Sequence, residues 1–326
     1  MKLATLRQGG RDGNLIVVSK NLSHGVKVPD IAKSLIVALE SWEYCEYNLQ
    51  QVYHDLNHKK IKNSFNLDIE KLAPPLPRSF QRLMTYAYLP QLERSYSVHE
   101  QNFPDQLRQT PEIYQAASDN FLSCRESIAL SNESWGCDMQ AQIAAITDDV
   151  TMSTDAEEAQ YHLRLLLVAN NIVLNNISDH SQEHDLCNSE HNPCTGFSPI
   201  AVTPDELGEY WQNNKLHLRL ITKLNQQTLG QLSTAIDMQF DFSQLISAAS
   251  KTRALSAGTI ICSGPIANAD TSNGVSNIQD LRNIEFLQQG DSATHFLRFG
   301  DRVQIEALDE QGHSIFGTID QSVIQW

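Results

Sequence analysis

Trp135-Gly136-Cys137-Asp138-Met139-Gln140-Ala141-Gln142 decides the reading of this chain, taken together with Ala169-Asn170-Asn171-Ile172. Side chains alternate along a strand, so Asp138, Gln140 and Gln142 share one face of a sheet. Working outward, the apolar runs at 144–150, 216–224, 258–263 and 302–308 have strand-like lengths, while 156–169 reads as a helix running into a strand. Gly300-Asp301 and Glu310-Gln311-Gly312 are turn signals, the latter between two expected strands. Toward the start, Asn14-Leu15-Ile16-Val17-Val18 is strand-like and 30–54 carries apolar residues at helical spacing. Ala73-Pro74-Pro75-Leu76-Pro77 reads as a rigid boundary, giving a small N-terminal domain at 1–74 and a larger one at 75–326. The pattern is that of a sheet-rich α+β chain.

These segments resemble the fumarylacetoacetate hydrolase family, in particular its bacterial members of about this length. The resemblance covers most of the chain. It is carried by Met1-Lys2-Leu3-Ala4-Thr5-Leu6, the 114–121 loop, Ala145-Ile146-Thr147-Asp148-Asp149-Val150, Phe197-Ser198-Pro199-Ile200-Ala201-Val202, the following Thr203-Pro204-Asp205-Glu206-Leu207, Ala257-Gly258-Thr259-Ile260, and Phe299-Gly300-Asp301-Arg302-Val303-Gln304-Ile305-Glu306. It implies a rolled mixed β-sandwich with a small N-terminal domain, generally assembled as a homodimer.

Active members of that family hold magnesium, calcium or manganese on one Asp, the two Glu of a Met-Glu-x-Glu strand and the Asp of an Asn-Asp-x-Ser-x-Arg stretch. By the resemblance those four acids fall here on Met84, Gln140, Gln142 and Asn171. The family's catalytic His falls on Gln91, the acid that pairs with it on Asp280, its Arg on Asn175, its substrate-side Lys on Asn192 and the Thr of a Ser-Gly-Thr turn on Pro265. Tyr114 matches a substrate-contacting Tyr of a family loop that also contains Asp119.

Hard cations need oxygen ligands, and magnesium sheds its water shell only when carboxylate charge compensates. Amides keep the outline of the acids and add hydrogen-bond donors, so such a site stays polar without attracting a metal. It also escapes the mutual repulsion of clustered carboxylates. In active relatives the metal polarises a β-dicarbonyl or related oxoacid and a His base activates water for carbon–carbon cleavage, a route that depends on the Lewis acid and the base together. The expectation is therefore a catalytically degenerate member without a cofactor. It would use the old pocket for a small polar metabolite or the family dimer interface for a partner. The alternative is an active hydrolase or lyase with a rebuilt site, either retaining magnesium or manganese or drawing on Asp138, Asp280 and an unrecognised base.

Composition narrows the setting. The 326 residues are 41% hydrophobic, enough for a large core. The formal net charge of −15 argues against nucleic acid or an anionic membrane as partner. Nothing has the length and apolarity of a transmembrane span, and residues 1–11 lack the apolar core of a secretory signal, so the expected compartment is the cytoplasm. The 6 cysteines are then expected as buried thiols.

One cluster is a gain instead of a loss. His184, Cys187, His191 and Cys194 are zinc-ligand types in one short segment, although their middle spacer is shorter than in common zinc modules. A flexible lid remnant is the favoured reading, with zinc as the alternative. The loop at 268–277 reads as a solvated turn. His99, His162 and His295 read as structural histidines, and Asp138 is the best-placed substitute carboxylate.

Overall fold

Two long strands, Cys137–Thr147 and Leu163–Leu174, form the spine of the molecule. The structure, a computed structural model, describes residues 1–177 and 189–326. The long strands pair antiparallel from Cys137 opposite Leu174 to Thr147 opposite Leu163, with Gln140 opposite Asn171. They are buried nearly throughout, which explains why the second reads as an almost unbroken apolar run, Leu163 to Ala169 with only Arg164 intervening.

The sheet grows in both directions from this pair. On one side Ile260–Cys262 joins antiparallel, Arg82–Thr85 runs parallel to it, and Ile113–Ala116 closes the edge. On the other, Ala201–Val202 links the spine to Lys2–Leu6, which pairs with Asn14–Val18. The N-terminal segment and the rest of the chain thus share one sheet. Cys194–Phe197 lies beside residues Ala169 to Ile172 and pairs in parallel with Phe121–Leu122. A second sheet runs Gln227–Ser233, Arg219–Leu224, Arg302–Leu308, Ile319–Gln325 and Ile128–Leu130.

Strand alternation sorts the core. Met139, Ala141, Ile143 and Ala145 pack with Leu220, Val303, Ile305 and Ile319 of the second sheet. Ala144, Ile146, Leu165 and Leu167 belong instead to a cluster with Leu3, Leu15, Trp42 and Leu49. Face-to-face packing of two sheets with helices against the outer face is the sheet-rich α+β sandwich expected from the sequence. Deleting one of these leucines would cost about 2–5 kcal/mol.

The expected helix at 30–54 is two helices, Leu35–Leu39 and Trp42–Asn57. The second buries Trp42, Cys45, Leu49, Tyr53 and Leu56, a stripe at helical spacing that accounts for the periodic signal. The 268–277 loop is also more than a solvated turn. Asn268 donates to the carbonyls of Ser233 and Ile236 and accepts from Ser233 N, while Asn277 is fully buried and caps the helix Ile278–Gln289. Its polar composition reflects hydrogen bonds to backbone, which sequence pattern does not separate from solvent exposure.

Candidate functional site

Met84, Asn171, Gln140 and Gln142 belong to one hydrogen-bonded network, and Arg82 holds it together. Asn171 is fully buried between two strands, opposite Gln140 on one side and Thr195 on the other. Its Nδ2 donates to Gln140 Oε1 at 3.2 Å and to Asn192 Oδ1 at 2.8 Å. Its Oδ1 accepts from Thr195 Oγ1 at 3.1 Å and Arg82 Nη1 at 3.0 Å. Two donors and two lone pairs are thereby used, which fills the capacity of an amide and which no carboxylate could match. Gln142 Nε2 adds a third amide, donating to Gln140 Oε1 at 3.3 Å.

Arg82 was not legible as a site residue. It stands two residues before Met84 on the short strand Arg82–Thr85, so the two share a face, and that spacing is the only signal the sequence carries. Its side chain is fully buried. Nε donates to Ala117 O at 2.8 Å, and Nη1 contacts Met84 Sδ at 3.0 Å as well as Asn171. Buried Nη2 and Gln142 Oε1 have no hydrogen-bond partner among the described residues. Cys262 and Cys194 lie near enough to feel the guanidinium. Burial outweighs it at both, raising Cys262 above its ordinary value and Cys194 to about 12, so both are neutral thiols.

The neighbouring positions expected from the resemblance are also engaged with one another and with nearby residues. Gln91, at the start of the helix Pro90–Val98, exchanges amide hydrogen bonds with Asn277, whose Nδ2 donates to Gln91 Oε1 at 2.9 Å. Asp280 has a different partner. It is gripped by Arg94 through Nε–Oδ1 at 2.7 Å and Nη2–Oδ2 at 2.6 Å. Arg94 and Asn277 are the other two residues that the sequence did not single out. Asn277 also bridges by backbone to Gln140, which ties the two amide groups into one stretch of structure.

Asp138 shares the Gln140 face, yet its carboxylate receives Ile278 N and Gln279 N, each at 2.8 Å, from the first turn of the helix Ile278–Gln289. Burial pushes this carboxyl up to about 7, opposed by those backbone donors and by the Asn175 side chain. Asn175 is thus next to Asp138 and also donates to Gly136 O at 3.4 Å. Tyr114 lies opposite Met84 in the strand register, partly exposed, with its ring 6.1 Å from that of Tyr86. Asp119 is exposed, and Pro265 is buried after the Ile260–Cys262 strand. His162 pairs with Asp148 at 2.8 Å, and Arg164 binds the other oxygen of the same carboxylate. His184 and Cys187 lie outside the described residues; of the proposed zinc ligands, Cys194 is a buried free thiol and His191 is half-buried.

The donor set can be tested against the family's cation. Magnesium, calcium and manganese favour carboxylate and other hard oxygens. Here one position is a thioether, the others are amides engaged with one another, and a permanently charged guanidinium touches two of the four. These residues do not fit a divalent cation. Among the described residues no three His, Cys, Asp or Glu side chains converge as a metal site elsewhere. Two open cavities, of about 550 and 1720 Å³, lie away from this network, the larger between residues 19–24, 56–59 and 311–315.

Comparisons with known proteins agree with the topology. Residues 1–78 match the fumarylacetoacetase N-terminal domain 2 model and residues 84–324 the fumarylacetoacetate hydrolase C-terminal model. The chain belongs to the fumarylacetoacetate hydrolase family. No curated protein matches it. Its fold is similar to that of maleylpyruvate hydrolase from Sphingobium sp. SYK-6, at 13% identity and a TM-score of 0.65 over 100% of both chains. A second structure of that protein holds manganese(II) and pyruvate. Fumarylacetoacetate hydrolase from Exiguobacterium antarcticum is similar at 16% identity and a TM-score of 0.64, again over 100% of both chains. A probable 2-hydroxyhepta-2,4-diene-1,7-dioate isomerase from Mycobacterium abscessus gives 16% identity and 0.66, covering 100% of this chain and 99% of the other. Among the described residues no helix is long and apolar enough to cross a membrane.

Proposed function

We propose that this chain is a catalytically degenerate member of its family that keeps the fold as a binding protein for a small polar metabolite or a partner. The observation that carries this reading is the saturated amide at Asn171: the two hydrogen bonds that Nδ2 donates, to Gln140 and Asn192, require an amide there, and those two neighbours are themselves amides. The set is self-consistent as a metal-free structure.

Loss of the base supports the same reading. Gln91 has no proton to exchange near neutral pH, and Asp280 is committed to Arg94. A rebuilt hydrolase would have to draw on Asp138 or Asp280, and both carboxylates are already bound by other groups. Assembly as a homodimer and a cytoplasmic setting belong to this proposal as its expected context.

The test is metal content and turnover on one preparation. Untagged protein is incubated with excess magnesium, manganese or zinc, desalted, analysed by plasma mass spectrometry and assayed with an acylpyruvate. Substoichiometric metal with no turnover is expected. About one manganese per chain with turnover would overturn the reading, and one zinc lost on mutating Cys187 and Cys194 would establish the His/Cys cluster instead.

A further inference from the structure

A cation in a protein interior needs a counter-charge or a full shell of dipoles, because desolvation alone costs several kcal/mol. Arg82 has neither in full. Its partners are a backbone carbonyl, an amide oxygen, a thioether and the neutral Cys262 thiol, and Nη2 has no hydrogen-bond partner within ordinary distance among the described residues. Thiolates do not supply the missing charge, since burial keeps Cys194 and Cys262 protonated. Within the same network Gln142 Oε1 is a buried acceptor without a donor among the described residues. Leaving such atoms unmatched costs about 1–3 kcal/mol each. At the edge of the network Gln140, Asn192 and Tyr114 are partly exposed.

We propose that the Arg82 guanidinium is the resident cation of this site, touching two of the positions where relatives carry metal ligands and serving as the anchor for a small carboxylate. Guanidinium and carboxylate match in shape and charge, and no acidic side chain among its hydrogen-bond partners competes for Nη2. The Asn171 amide, itself bonded to Gln140, holds the guanidinium in place and leaves its charge undiminished. The ligand class this gives is a small monocarboxylate, bound directly by the protein. The proposal rests on the metal-free reading above, and its test separates the two.

Pyruvate is the probe, titrated against protein in chloride-free buffer at low ionic strength while unfolding is followed by intrinsic fluorescence, with R82M and R82K alongside. At saturation the wild type should gain roughly 3–6 °C in Tm. R82M should show no shift, and R82K a smaller one, because lysine keeps the charge and loses the fork. No shift in the wild type, an equal shift in R82M or R82K, or an equal rise with sodium chloride at matched ionic strength would overturn the carboxylate anchor and leave the metal-free reading intact. If R82M does not fold, the comparison of wild type with R82K decides. Stoichiometric manganese in the same wild-type sample would instead overturn the metal-free reading, and the anchor with it.

Discussion

Arg94 and Asp280 close a two-toothed ion pair, 2.7 and 2.6 Å, between the helices Pro90–Val98 and Ile278–Gln289, where Asp280 is 1% and Arg94 14% exposed. Removing the arginine alone strands a buried carboxylate, which is expensive. R94M is expected to lose about 3 kcal/mol in urea unfolding. Replacing both together, as R94M/D280L, should recover most of that loss. If the double variant is as unstable as the single one, the pair is not the source of the effect. On the proposed reading, a histidine introduced as Q91H should give no turnover, because Asp280 already has its partner.

Asp138 gives the protein a pH dependence of known sign. In the folded chain its carboxyl keeps a proton up to about 7, whereas unfolded it releases it near the ordinary 3.8. Between those values the folded state binds more protons, so this group's contribution to stability is greatest below about 4 and declines as pH rises toward 7. The slope is on the order of 1 kcal/mol per pH unit. Measured as the difference in unfolding free energy between wild type and D138N, the advantage of the wild type should shrink from pH 4.5 to 7. A flat difference would mean that the two helix N–H groups hold the carboxylate ionised throughout.

Legibility followed chain separation. The amides at 140, 142 and 171 announced themselves because strand period and family order both fix them in sequence, and the two long strands needed no more than their apolar runs. Arg82, Arg94 and Asn277 left no such trace. Arg82 bonds a residue 89 positions away, and the Arg94–Asp280 and Gln91–Asn277 pairs each span 186. An arginine beside a methionine in a four-residue strand has no periodicity of its own, so its role emerges only when the sheet brings Asn171 to it. The same holds for Asp138. Alternation gave its face correctly, and only the packed helix shows that the carboxylate is used as a cap.

Gly196 tests how closely the two sheets are matched. A Cβ there would stand 2.6 Å from both amide atoms of Gln321. That amide is fixed by three hydrogen bonds: it accepts from Asn170 Nδ2 and donates to the carbonyls of Ser123 and Glu126. G196A is therefore expected to cost about 1–3 kcal/mol. Shortening the partner as well, in G196A/Q321S, should restore less than half, because the bonds to Ser123 and Glu126 go with it. An unchanged Tm in G196A would show that Gln321 can move aside freely.

On the proposed reading, acids placed at 140, 142 and 171 would be set against Arg82. With Q140E/Q142E/N171D, the new carboxylate at 171 would stand where Arg82 Nη1 now meets an oxygen at 3.0 Å. Ion pairing inside the protein would then neutralise the acids before a metal could. The triple variant is expected to bind manganese weakly and to gain stability at neutral pH from the new pair. Adding R82M removes the internal competitor and should tighten manganese at least roughly tenfold, about 1.4 kcal/mol, read by electron paramagnetic resonance of the free ion. Equal affinity with and without Arg82 would place the guanidinium outside the cation's position. A gain confined to the variant lacking Arg82 would mean that the amides and the arginine act as one coupled set, with the guanidinium occupying the place a cation would take.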